Sequence, residues 1–157
     1  MTTESELPEF PSKGRLAGID FGTVRVGVAI SDPGRTLASP YEIYNRRTPE
    51  KDARYFKEFA QQERIVGFVV GLPVHMSGDE SEKSKQAREF GRWLNQVTSL
   101  PVTWIDERYT TAMAREVLSH SKMSPKKKKA QLDKLAAQIL LTTYLESNQP
   151  NRAPDAI

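Results

Sequence analysis

The sequence contains no cysteine and only two histidines, His75 and His120, among 157 residues. Disulfides, thiolate zinc sites, iron–sulfur clusters and thiol nucleophiles are therefore excluded, and a His-rich metal centre with them. Any metal must be held by carboxylates, and hard oxygen ligands favour Mg²⁺ or Mn²⁺ over zinc. No apolar run approaches the roughly 20 residues that span a bilayer. The opening MTTESELPEF is acidic, unlike the basic-then-apolar pattern of a secretory signal, so a cytoplasmic location is expected. Charge of one sign is not in great excess either. The 23 Lys and Arg against 20 Asp and Glu leave a formal net charge of +3, which permits a nucleic-acid partner without requiring one.

What is present suffices for one packed domain, with hydrophobic residues at 38% and charged residues at 27%. Residues 1–14 carry no periodicity and read as a flexible arm, 15–147 as the domain, and the Pro/Asn-rich 148–157 as a disordered tail. Leu16 to Asp20 is a short apolar strand ending at a carboxylate, followed by the turn Phe21-Gly22-Thr23. Val24, Val26, Val28 and Ile30 then alternate with smaller or polar residues, the period of a strand with one buried face. Strands joined this closely should pair as an antiparallel hairpin. A third extended segment spans Thr36 to Tyr44, where Pro40 suggests an edge or a bulge.

Helical spacing appears at Pro49 to Glu63, at Asp79 to Val97 and from about Ala130 to Glu146, with a short helix from Thr110 or Thr111 through Leu118. Between them Ile65–Leu72 is nearly all apolar, as in a strand covered on both faces, and Val102–Asp106 makes a fifth strand. Trp93 and Trp104 are assigned to the core. The order β-β-β-α-β-α-β-α predicts an α/β fold: a mixed five-stranded sheet, three antiparallel strands leading into two α/β units, with helices on both faces.

Asp20 ends the first strand, Asp106 and Glu107 close the fifth, and Asp133 lies on the last helix in line with Ala137, Leu140 and Tyr144. Each has an ordinary alternative: a turn carboxylate at Asp20, an ion pair with Arg108 or a helix cap at Asp106-Glu107, and a partner for Lys129 at Asp133. Because a strand alternates its faces, only one of Asp106 and Glu107 should point where Asp20 points. Converging carboxylates would repel one another unless cations occupied the site. Two Mg²⁺ or Mn²⁺ ions, about 3.5–4 Å apart, would relieve the repulsion and supply phosphodiester hydrolysis.

Four segments carry a family resemblance: Gly18-Ile19-Asp20-Phe21-Gly22-Thr23-Val24-Arg25-Val26-Gly27-Val28-Ala29, Val69-Val70-Gly71-Leu72-Pro73, Asp106-Glu107-Arg108-Tyr109-Thr110-Thr111 and Asp133-Lys134-Leu135-Ala136-Ala137. In this order and spacing, over about residues 15–147, the chain resembles the YqgF family, the RuvX-type Holliday-junction resolvase homologues also known as pre-16S rRNA nucleases. The resemblance implies an RNase H-like fold and a metal-dependent nuclease that matures the 5′ end of pre-16S rRNA. By matched position it implies Asp20 and Asp133 as metal ligands and Glu107 as the third, with Asp106 its competitor. The chain departs from the family pattern after Pro73, with His75 where Asn is usual and Ser77 where Asp or Asn is usual.

Lys122 and Lys126–Lys129 put five positive charges just before the Asp133 helix. They read either as a solvated loop or as contacts to substrate phosphates. Arg25 and Arg108 flank the candidate acids and would clamp a phosphate or pair with those acids. Tyr109 and His75 are candidates for stacking on bases of a single strand. Beside RNA cleavage, two other activities stay open: resolution of junction DNA, and nucleic-acid binding by a degenerate site. Asp20-Phe21-Gly22-Thr23 also resembles the phosphate turn of actin-like ATPases and sugar kinases, but those need two such lobes and this length supplies one.

Overall fold

The computed structural model describes residues 10–73, 81–107 and 124–147, and the side chains of all of these except 129–134. The elements run β1 (Arg15–Asp20), β2 (Arg25–Ser31), β3 (Ala38–Asn45), α1 (Pro49–Gln62), β4 (Ile65–Leu72), α2 (Glu82–Thr98), β5 (Val102–Asp106) and α3 (Pro125–Ser147). They build one five-stranded sheet in the order β3-β2-β1-β4-β5. The first three strands are antiparallel neighbours, whereas β4 pairs parallel to β1 and β5 parallel to β4. The C-terminal ends of β1, β4 and β5 therefore lie along one edge. The α/β sheet expected from the sequence is present, and the short helix expected at 110–118 falls outside the described residues.

Alternation along the central strand explains the two layers. Ala17 and Ile19 face the aromatic core shared with α1 and α2, which includes Phe56, Phe59, Phe68 and Phe90. Leu16 faces the opposite layer, with Val69, Ala137, Leu140 and Leu141. Trp93 and Trp104 are partly buried against the aromatic layer. On the α3 side, Gly18 permits close approach. A Cβ there would stand 2.8 Å from Leu141 Cβ and 2.9 Å from the Ala137 carbonyl, so any larger residue would push the helix off the sheet. Pro40 sits on the outer strand, where the β2–β3 register shifts between Val28 and Ala29. Edge and bulge both accommodate its missing N–H.

The third strand begins at Ala38, two residues after Thr36, and two helix starts differ more from the sequence reading. The last helix begins at Pro125, about a turn before Ala130, because proline is well suited to the first helical position. Ser124 caps it, its Oγ accepting from Lys127 N at 3.3 Å. The lysines thus occupy the first turn of α3 instead of a preceding loop. Helix α2 begins at Glu82, after Asp79, because Ser81 Oγ accepts the Ser84 N–H at 3.1 Å and caps it there. Ahead of β1, the Phe10 ring meets Tyr144 edge-on at 5.9 Å.

Candidate active site

Asp20 owes its position to strand alternation. Leu16, Gly18 and Asp20 fall on the α3 face of β1, and the hairpin register sets Asp20 opposite Gly27. A Cβ on Gly27 would lie 3.3 Å from Asp20 Cβ and 3.6 Å from Ala137 Cβ, which places Asp20 where α3 meets the sheet. The helix runs antiparallel to β1, with Leu141 over Gly18 and Ala137 nearer Gly27. Asp133, one turn before Ala137, is therefore set further toward the C-terminal end of β1. Its side chain belongs to the undescribed group.

Glu107 arrives from the other side of β4. Gly71 pairs with Ile105 on β5 and follows Val70, the partner of Ile19 on β1. Asp20 and Glu107 thus stand on either side of the strand that carries Gly71. A Cβ on Gly71 would come within 2.8 Å of Glu107 Cγ, so the absent side chain is the room Glu107 uses. Across that gap Glu107 and Asp20 are joined by a side-chain hydrogen bond. Burial, foremost, then the charge of Asp20, that hydrogen bond and the charge of Asp106 push the Glu107 carboxyl up to about 8, against a smaller opposing pull from Lys83. The shift belongs to the pair, which keeps its proton to higher pH than an isolated carboxyl would. Asp106, the last residue of β5, lies two residues after Trp104 and so on the same strand face. It contributes charge to the pair.

The two acids open into a cleft of about 350 Å³ lined by Asp20, Phe21, Gly22, Thr23, Pro73, Lys83, Gln86 and Glu107. A smaller depression of about 150 Å³ lies across the turn, lined by Asp20, Phe21, Gly22, Arg25, Gly27 and Ile43. The turn itself is braced from behind. Phe21 packs on Phe90 at 5.0 Å, and the Arg46 guanidinium lies over both rings at 5.5 and 5.4 Å. Buried Asp52 anchors that arginine at 3.4 Å while accepting from Tyr44 Oη at 2.6 Å and Arg47 N at 2.9 Å.

Of the residues singled out in the sequence, the structure brings Asp20, Glu107 and Arg25 to one turn and sets Asp106 beside them. Lys126 and Lys127 are exposed and Lys128 is at the start of α3 with them, while Lys129 is a helical residue whose neighbours on the helix include the undescribed side chains. Arg108, Tyr109, Lys122, His75 and Ser77 lie outside the described residues. Among the described residues no three His, Asp or Glu side chains gather into a metal-binding group. Sequence reading missed Lys83, Gln86 and Gly71. Lys83 lies off the apolar stripe of α2, where a lysine reads as solvated; its one legible oddity is a cation in a helix's first turn, the positive end of the dipole.

The family model for RuvX, described as Holliday junction resolvase, matches residues 14–147. A protein of Rhodopirellula baltica named "Putative pre-16S rRNA nuclease" is 50% identical over 146 residues, covering 93% of this chain and 84% of its own. One of the same name from Koribacter versatilis is 39% identical over 133 residues, covering 85% and 87%. The fold resembles that of T. thermophilus RuvC in complex with a Holliday junction substrate, with TM-score 0.51 and 15% identity over 85% of this chain and 94% of that one. The four-block resemblance read from the sequence thus holds: the chain belongs to the RuvX (YqgF) family and is a nuclease of RNase H-like fold.

Proposed function

We propose that this nuclease hydrolyses phosphodiester bonds in maturing the 5′ end of pre-16S rRNA, with Mg²⁺ or Mn²⁺ held by Asp20, Glu107 and Asp133. The observation that carries the reading is the Asp20–Glu107 pair, two carboxyls that share a hydrogen bond at the floor of an open cleft. The donor set fits the metal: its oxygens are hard ligands, and two acids crowded enough to retain a proton gain most from a divalent cation that displaces it. Asp133, one turn before Ala137, is the third ligand in this reading and Asp106 supports the pair electrostatically. Two such ions, held by these acids, would supply activation of water and stabilisation of the leaving 3′ oxygen.

The chain's own residues supply the rest. Asp20 and Glu107 fix where the reacting phosphate must sit, and the braced Phe21 turn keeps Asp20 in place. Arg25, beside Asp20 in the smaller depression, contacts a phosphate oxygen. Lys126, Lys127 and Lys128 add positive charge for the substrate at the start of α3, and Arg108 and Lys129 join them in this reading. The lysines occupy a helix end where cations cost stability, so their placement favours a binding role over a structural one. No helix among the described residues is long and apolar enough to cross a membrane. The cytoplasm, where pre-rRNA is made, is the compartment this function requires.

The test is cleavage of a 5′-extended 16S precursor by purified protein with Mg²⁺ or Mn²⁺, beside Asp20→Asn and a four-way DNA junction. Metal-dependent trimming to the mature end by wild type alone is expected. Cutting of the junction with the precursor intact would replace the RNA reading by the DNA one. Tight binding without cleavage of either would leave a degenerate site.

A further inference from the structure

The turn after Asp20 separates two depressions that share Asp20, Phe21 and Gly22, and among the described residues each contains one cation, Lys83 on one side and Arg25 on the other. Lys83 is held there by the way α2 starts. Ser81 Oγ caps α2 by accepting from Ser84 N and donates to the Pro73 carbonyl at 2.8 Å, fastening the first turn of the helix to the end of β4. Ser84 and Ala87 are buried beneath, whereas Lys83 and Gln86, three residues apart, line the larger depression. A lysine in that turn opposes the helix dipole. Among the described residues it forms no ion pair.

We propose that a single nucleic-acid strand crosses the site over the 20–25 turn, one phosphate held by Arg25 and another by Lys83, which makes Lys83 a substrate-positioning residue on the α2 wall. The path rests on the nuclease reading of Asp20 and Glu107. With cations on the carboxylates the floor no longer competes for the ammonium of Lys83, and the strand is gripped on both sides of Asp20. A volume of about 350 Å³ lies in the range that takes a drug-sized ligand, enough for one nucleotide to settle beside the acids. Gln86, one turn along α2, offers its amide to the same nucleotide.

Binding of a fluorescein-labelled single-stranded RNA, measured by anisotropy with Ca²⁺ filling the carboxylate site, tests the path. Lys83→Gln and Arg25→Gln should each weaken binding about tenfold and lower the slope of log affinity against log salt by about 0.7, and the double variant by about 1.4. Lys83→Arg should restore both. An unchanged slope for Lys83→Gln would make Lys83 a counterion of the acidic pair only and overturn the path. If the slopes fall as expected but wild type with Mn²⁺ cuts neither RNA nor junction DNA, the nuclease reading fails and the path stands.

Discussion

Gly71 and Glu107 occupy one space. A Cβ built on Gly71 would stand 2.8 Å from Glu107 Cγ, so Glu107 reaches Asp20 across β4 only because that strand carries no side chain there. The site depends on an atom that is missing from a neighbouring strand as much as on the carboxyls themselves.

Gly71→Ala should therefore leave the fold in place and displace Glu107, whose flexible side chain is the group that yields. Cleavage should fall about 100-fold, the scale of a 1 Å misplacement in an active site. Cleavage rates with a Mn²⁺ titration check this. Wild-type values for both would show that Glu107 needs no such room.

The metal-free protein should lose stability as pH rises from about 5 to 8. Glu107 is held up to about 8, above the ordinary carboxyl value of 4.5, so between those pH values the folded state keeps a proton that the unfolded chain has released. The contribution is complete below the unfolded value and vanishes through the folded one, with a slope of at most about 1.4 kcal/mol per pH unit. Urea titrations across that range should show the decline, and Glu107→Gln should flatten it. Metal affinity should rise over the same window as cation displaces proton.

Asp133→Asn should abolish cleavage and leave the metal-free fold as stable as wild type or slightly more so, since one charge leaves a self-repelling group. Thermal melts beside activity assays separate the outcomes. An unfolded variant would show that Asp133 is structural.

Replacing Lys126–Lys129 with Gln should weaken RNA binding and flatten its salt dependence by about 0.7 for each phosphate no longer neutralised. The same change should stabilise the fold by about 0.3–1 kcal/mol for each cation removed from the helix N-terminus. A loss of stability with the slope unchanged would assign the run to folding.

Asp52→Ala should cost about 3 kcal/mol, because it strips the buried partner from Tyr44 Oη, Arg47 N and the Arg46 guanidinium. Arg46 also covers Phe21, so cleavage at temperatures where the variant stays folded should fall by a smaller factor than for Gly71→Ala. Equal losses would place Asp52 closer to the chemistry than its position behind the turn suggests.

Much of the fold was legible because the strands are short apolar runs with clear ends. Ile65–Leu72 and Val102–Asp106 form over the residues that the pattern marks. Helix starts were less legible, since they turn on single residues: Ser81 and Pro125 set α2 and α3 away from the positions periodicity suggests. The acids were legible as strand-end residues, but Lys83 was not, because a lysine off an apolar stripe looks the same whether it faces solvent or a cleft.

The sequence by itself determined the kind of chemistry open to this protein. Without cysteine and with two histidines, a metal has only oxygen ligands, and Asp20 and Glu107 are set at strand ends where such ligands can meet, with Asp133 on the inward stripe of the last helix. Only the tertiary structure decided which acids meet. Parallel pairing of β1, β4 and β5 brings their C-terminal ends to one edge, and Glu107, the residue after β5, fills the space that Gly71 leaves open and meets Asp20 there. Convergence of this kind comes from strand order and packing between distant segments, which no local spacing encodes.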